Sequence, residues 1–308
     1  MKKLFAGVAA AGLITLTAGC GGDDGDSSTT SPPVAVTPTP TPAPTPTPTP
    51  TPAPTPTPTP TPIASSPACD FSGATFTYPL VASTALIPSG LSFSVPGAGS
   101  DITYRGSPQG VVVRRNGDIA EETPGADGGS TVVATTADGP TLTYSAATRI
   151  VRLSCNESGS NVGLVVREGR DGATTTAYTL YQGGFQTSAS ETVASGTYPA
   201  RIMSYSRVGS GAVPFDQRTG TSATFMYDQA SGALRGTFSI DGPNAATFTV
   251  DATRSSGSQI LTGTVAVGGN VGSFRGSFYG SQGRQLAFTY QVIANTTQYI
   301  GAVQGSRN

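Results

Sequence analysis

The chain of 308 residues has no histidine and no tryptophan, and its only lysines are Lys2 and Lys3. Without imidazole, Ser-His-Asp and Cys-His nucleophilic sites are impossible. Histidine-ligated zinc, copper and non-haem iron are impossible too. Haem capture through histidine is excluded, although Tyr or Met ligation is not. Charged residues are sparse, at 11%, and the net charge is −1, so the chain has no basic footprint for nucleic acid. It has no phosphate-binding loop, dinucleotide fingerprint or nucleophile elbow. Carboxylates occur singly and mostly in turns, and no pair stands out as the acid and base of a glycoside hydrolase. The expectation is a protein that is not an enzyme and carries no metal or cofactor. Helical periodicity is also missing between 69 and 195. What abounds is glycine, 40 of 308 residues, with serine and threonine. That composition favours short strands with many turns.

The first 19 residues, MKKLFAGVAAAGLITLTAG, read as a signal peptide. Two lysines form the positive end, Leu4 to Leu16 form the apolar stretch, and the run is too short for a comfortable membrane-spanning helix. The segment Leu16-Thr17-Ala18-Gly19-Cys20 resembles a bacterial lipoprotein cleavage box, with Thr17 in place of the usual Leu or Val. This resemblance implies that Cys20 carries diacylglycerol and an N-acyl chain and anchors the protein in lipid. Each buried CH₂ adds roughly 0.8 kcal/mol, so three chains hold far more firmly than one. Gly21 follows, where an Asp would favour inner-membrane retention, so the expected location is the outer membrane, facing the cell surface. A periplasm-facing orientation is the alternative.

Residues 20–68 read as a linker. An acidic, Ser/Thr-rich patch (21–31) precedes TPTPTPAPTPTPTPTPAPTPTPTPTP at 37–62. Alternate prolines force polyproline II and forbid a packed core. Such a rod reaches roughly 80 Å at about 3.1 Å per residue. It reads as a spacer holding a domain off a membrane.

Two cysteines then remain, Cys69 and Cys155. In an oxidising compartment they most simply pair with each other. Closing a loop of that length contributes about 4 kcal/mol in the chain-entropy model.

Two β-rich regions are expected. In 69–195 irregular short strands are placed at Ala74–Tyr78, Gly110–Arg115, Thr131–Thr136, Thr141–Tyr144, Arg149–Cys155, Val162–Arg167 and Thr175–Tyr181. In 196–308 eight strands follow one another through short turns: Thr197–Tyr205, Ser222–Tyr227, Leu234–Ile240, Ala245–Ala252, Gln259–Val267, Val271–Tyr279, Gln285–Ile293 and Gln298–Gln304. Phe248, Val250 and Ala252 alternate with Thr247, Thr249 and Asp251. Leu286, Phe288, Tyr290 and Val292 alternate with Ala287, Thr289 and Gln291. Period two with one apolar face means a half-buried antiparallel strand, and eight in a meander suggest an up-and-down barrel. Phe274 and Phe278 share a face with Gly272, Gly276 and Gly280, the large-and-small alternation that fills a narrow barrel. Because the second face is Thr, Ser, Gln, Asp and Arg, the barrel reads as soluble rather than membrane-embedded.

The stretches GSFYGSQGRQLAF (276–288) and YIGAVQG (299–305) resemble the C-terminal end of the barrel in transferrin-binding protein B-like surface lipoproteins. Gly276, Phe278, Tyr279, Gly280 and Leu286 match the family's turn and strand. Gln285 stands where the family has Glu, and Ala287-Phe288 where it has Gly-Gly. The resemblance covers about 196–308 and implies an all-β fold, with a strand-rich handle-like region (69–195) ahead of the barrel (196–308). It further implies a lipid-anchored binding protein, an accessory to an outer-membrane receptor or exporter, whose ligand is an unknown protein or small molecule. The matching residues read as barrel architecture. They are not a binding site, and the ligand-binding residues are left unassigned. A structural or adhesive envelope lipoprotein without a discrete ligand is the alternative function.

The remaining candidates read as ordinary surface. Asp118, Glu121, Glu122 and Asp127 offer oxygen ligands in a Gly-rich loop, but their spacing does not match a calcium loop. They are expected to be solvated. Arg114 and Arg115 should point to opposite faces of a strand. Arg167, Glu168, Arg170 and Asp171 are expected on a solvated hairpin. Tyr178, Tyr181 and the loop Arg207–Arg218 could present aromatic and Arg contacts to a partner, although packing is the commoner role for Tyr on a sheet.

Overall fold

The computed structural model describes residues 71–307 apart from 72, 137–138, 156–160 and 210–215, with side chains at all of these but 136 and 216–222. Residues 1–19, Cys20, the Thr-Pro run 37–62 and Cys69 lie outside the described residues, as do residues 210–215 of the Arg207–Arg218 loop.

Ten strands form one antiparallel sheet: β1 (Phe76–Ile87), β2 (Gly90–Ser94), β3 (Asp101–Gly106), β4 (Gln109–Arg115), β5 (Asp118–Glu122), β6 (Ser130–Thr136), β7 (Gly139–Ser145), β8 (Arg149–Ser154), β9 (Val162–Asp171) and β10 (Thr174–Gly184). Their order is β5-β4-β3-β1-β10-β9-β8-β7-β6, with β2 added alongside β1. Eight more close into a barrel in sequence order: β11 (Gly196–Val208), β12 (Asp216–Asp228), β13 (Ala233–Ile240), β14 (Ala246–Arg254), β15 (Ile260–Val267), β16 (Asn270–Tyr279), β17 (Gln285–Ala294) and β18 (Thr297–Ser306). Among the described residues a single 3₁₀ turn, Ser281–Gly283, interrupts the strands. The architecture is all-β, and every expected barrel strand is present.

β1 shows why the sheet was harder to read than the barrel. Its first four residues pair with β3 and alternate buried and exposed, but from Leu80 onward nearly every side chain is covered. There the strand lies between β10 and β2 and has apolar clusters on both faces. The expected strand ended at Tyr78, where the period-two signal ends. β2, β3 and β5 were not anticipated. β3 (DITYRG) has only Ile102 and Tyr104 to bury, and β5 (DIAEE) looks like a solvated loop in composition.

The sheet curls into a half-barrel. Tyr78, Tyr104, Val113, Leu142, Tyr144, Leu153, Val165 and Cys155 line its concave core, which Phe71 caps. Its convex face lies on the barrel: Leu86, Leu164, Val166, Tyr178 and Leu180 pack against Tyr205, Ile300 and Ala302. On the far side of the barrel the outer residues are solvated, with Thr247, Thr249, Asp251 and Thr253 exposed and Arg235 paired to Asp251 across β13 and β14. Strands β14 and β17 therefore differ. Phe248, Val250 and Ala252 alternate with exposed residues as expected, but in β17 Ala287 and Thr289 are also buried, because the sheet covers that wall.

Candidate functional site

The barrel interior is filled by aromatic rings. Phe238 stacks on Phe248 at 4.7 Å between ring centres, Phe274 meets Phe288 at 4.5 Å, and Tyr227 meets Phe278 edge-on at 4.6 Å. Tyr290 packs beside both Phe238 and Phe248, and its hydroxyl donates to Ser204 at 2.9 Å. Glycines make room for these rings: a Cβ at Gly301 would lie 2.4 Å from the Tyr290 ring, and one at Gly276 would lie 2.4 Å from the Cβ of Phe288. Val193, fully buried, enters from the segment before β11. At the opposite end Asn244 reaches in, its side-chain amide donating to the Ser206 hydroxyl and its backbone carbonyl accepting from the Tyr299 hydroxyl.

The Gly-x-Phe-Tyr-Gly stretch lies where the barrel meets the sheet. Phe278 points inward, while Tyr279, the next residue, points outward into the sheet and is fully buried with Val81, Val162 and Ala287. A Cβ at Gly184 would stand 2.6 Å from the Tyr279 ring, so this glycine lets β10 reach the barrel. Backbone bonds complete the junction: Gly280 N–H donates to the Phe185 carbonyl at 3.1 Å, and Thr187 N–H to the Phe278 carbonyl at 3.0 Å. The Thr187 hydroxyl donates to the Gly280 carbonyl at 2.7 Å. Gln285, at the position of the family's Glu, accepts the Asn161 N–H at 2.8 Å. Arg275 Nε donates to the Val81 carbonyl at 3.0 Å. Of the five matching residues, Gly276, Phe278 and Leu286 serve the barrel interior, and Tyr279 and Gly280 serve the joint.

The acidic cluster is not a solvated loop. Glu121, 3% exposed, pairs with Arg149 at 3.1 Å and with Arg167 at 2.8 Å. Asp127 accepts from the Tyr144 hydroxyl and pairs with Arg149 at 3.1 Å. Arg149 also donates to the Glu122 carbonyl, and Glu122 pairs with Arg105. The residues come from β5 at one end of the sheet and from β8 and β9 near the other, so the cluster ties the half-barrel across its open side. Asp118 remains exposed. Arg149 and Tyr144 were not anticipated, since nothing local marks them as partners of residues 17 to 28 positions away. Glu168, expected on a solvated hairpin, is 5% exposed and accepts from Arg170 at 2.9 Å and Thr175 at 2.8 Å, with Arg152 at 3.8 Å. Arg114 and Arg115 diverge as expected, to Asp101 and Ser94. Tyr178 and Tyr181 are each 4% exposed and unavailable to a partner: Tyr178 stacks on Tyr205 at 3.9 Å, and Tyr181 faces the concave core. Arg207, from the expected contact loop, is fully buried and donates to Gln298 at 2.7 Å.

Burial pushes the Glu121 carboxyl above its ordinary value, against the opposing pull of Arg149 and Arg167. A carboxyl raised on folding stabilises the fold when protonated. That contribution is full below the ordinary value near 4.5 and is lost as pH rises through the folded value. The expected result is that the stability gap between wild type and Glu121→Gln shifts against wild type as pH rises from about 4.5 towards neutrality. Urea unfolding of both proteins across that range reads it. A gap independent of pH would mean the carboxyl is not perturbed.

These elements, a filled barrel docked by its outer wall on a curled sheet, can be set beside known proteins. The chain is similar to transferrin-binding protein B. Against the isotype 1 protein from serogroup B Neisseria meningitidis it shows 12% identity and a TM-score of 0.45, over 74% of this chain and 43% of that one. It is also similar to HpuA from Kingella denitrificans, solved in complex with human haemoglobin (10% identity, TM-score 0.41, 77% of this chain and 88% of that one). A third similar structure is the N-lobe of lactoferrin-binding protein B from Moraxella bovis (12%, 0.39, 75% and 100%). The chain spans less than half the length of transferrin-binding protein B. No protein-family model and no curated protein matches it.

On the outer surface, a recess at the 3₁₀ turn is lined by Ser281, Gln282, Arg284 and Arg307. Arg307 is committed to the carbonyls of Ala194 and Gln282, and Glu191 accepts the Gln282 N–H at 2.6 Å. These groups hold the turn against the segment that enters the barrel.

Proposed function

We propose that the protein is a lipid-anchored outer-membrane binding module, displayed at the cell surface on its Thr-Pro stalk, which captures a protein or small nutrient and serves a receptor or exporter. The observation that carries this reading is the ring-filled barrel. Interior positions that would line a ligand cavity are taken by Phe225, Phe238, Phe248, Phe274, Phe288 and Tyr290, so recognition falls to the outer surface. The anchor is Cys20 and the stalk is 37–62. A Cys69–Cys155 disulfide fastens the first segment of the folded part: Cys155 is fully buried at the end of β8, in the same apolar cluster as Phe71, two residues from Cys69. The module performs no catalysis.

Protease added to intact cells, and separately to lysed cells, followed by detection of the barrel, tests the display. Loss of the barrel from intact cells is the expected result. Loss only after lysis would place the domain in the periplasm and favour the structural envelope role.

A further inference from the structure

The two ends of the ten-stranded sheet are built differently. At one end β5 (DIAEE) carries an exposed Asp118 and a partly exposed Glu122, and charge on an edge strand is a standard guard against pairing with another chain. The other end, β6, reads Ser130-Thr131-Val132-Val133-Ala134-Thr135-Thr136 and has no charge, no proline and no glycine. It pairs through all seven residues with β7, and among the described residues no second strand pairs with it. The Thr131 hydroxyl donates to the Gln109 carbonyl at 3.2 Å. Beyond that contact, Val132 through Thr135 are exposed although they alternate between the two faces of the strand. Val132 is 60% and Val133 38% exposed. The nearest preceding charge, Asp127, is engaged by Tyr144 and Arg149. A β-branched strand bare on both faces and unguarded at its edge is a template for strand addition.

We propose that β6 is a dimerisation edge, and that its occupant is β6 of a second copy of this chain. The sequence complements itself about Val133. In an antiparallel pairing centred there, Val133 faces Val133, Val132 faces Ala134, and Thr131 faces Thr135. Threonine pairs and β-branched pairs directly opposite one another stabilise such a ladder. Two identical uncharged edges meet without repulsion, which an edge carrying net charge on every copy would not allow. A two-fold pairing of this kind closes on itself, giving a dimer and not a filament. It joins the two curled sheets into one continuous sheet across the axis and leaves both barrels free. The inference is independent of which ligand the barrel surface takes.

The register makes the test specific. Opposite residues in an antiparallel pair have Cα atoms about 4.5–5.5 Å apart, within disulfide range. The two copies of residue 132 would stand about 8 Å apart, beyond it. The full-length lipidated chain carrying Val133→Cys is oxidised in the cell envelope, beside Val132→Cys, with the unsubstituted chain setting the background from its own cysteines. The expected result is a covalent dimer as the main species for Val133→Cys and background levels for Val132→Cys. Val133→Lys, purified in detergent, should sediment as a monomer where wild type sediments as a dimer. Its far-ultraviolet circular dichroism spectrum should match that of wild type, because the side chain is solvent-facing in the single copy. Equal cross-linking at 132 and 133, or a dimer that survives Val133→Lys, overturns the proposal. So does a Val133→Cys chain that stays monomeric. If its thiol is also shielded from a water-soluble maleimide, another segment or protein holds the edge.

Discussion

Phe288→Ala is expected to cost about 3–5 kcal/mol, the full cost of truncating a buried ring. Phe288 is fully buried on β17, 4.5 Å from Phe274 and 5.2 Å from Phe225 between ring centres. The cost of a cavity depends on how far its walls can collapse. Here they cannot: the residue opposite on β16 is Gly276, which has no side chain to offer, and the closed barrel holds the strands at fixed spacing. With no tryptophan in the chain, far-ultraviolet circular dichroism against urea is the suitable measurement. A loss below about 1.5 kcal/mol, the scale of a volume-conserving swap, would mean that the interior is loosely packed and could admit a ligand. That outcome would remove the observation on which the proposed function rests.

Tyr279→Ala is expected to cost a similar amount, about 3–5 kcal/mol, through the joint and not through the barrel. Its fully buried ring is the largest barrel side chain in the cluster with Val81, Val162 and Ala287, against which Ile260 also packs. The companion substitution separates ring from hydroxyl. The Tyr279 hydroxyl lies beside Gln182, yet neither the hydroxyl nor the Gln182 amide finds a hydrogen-bond partner at good geometry. Burying an unsatisfied polar atom costs about 1–3 kcal/mol, so Tyr279→Phe should be neutral or stabilising. If Tyr279→Phe destabilised as much as Tyr279→Ala, the hydroxyl and not the ring would be holding the joint.

The barrel was readable because its signal is local. Strands such as β14 have one wall in water and one in the core, so the sequence alternates and each turn is marked by Gly, Asn, Asp or Ser. The same rule made β1 and β5 hard to read. From Leu80 onward β1 is covered on both faces, which erases the alternation. Glu121 on β5 looks solvated because the arginines that let it be buried, Arg149 and Arg167, are supplied by strands distant in the chain. Tyr178 and Arg207 show the same limit. Each was a candidate surface contact; Tyr178 is covered by the packing of sheet against barrel, and Arg207 is fully buried with its guanidinium on Gln298. The motif at 276–280 was legible as barrel architecture, whereas its second role at the joint depends on Gly184 and Thr187, which no local pattern connects to it.

The barrel's topology has a kinetic consequence. Seven of its eight strand pairings join neighbours in sequence, and only β11 with β18 joins strands about a hundred residues apart. Neighbouring hairpins form in microseconds, while that one closure waits on the rest. Two barrel residues that pack against the sheet, Tyr205 and Ile300, sit opposite each other across this seam. The sheet surface therefore acts as a mould on which the slowest contact of the barrel is assembled. A chain deprived of that surface would linger as an open ribbon with two unpaired edges, the form most exposed to aggregation.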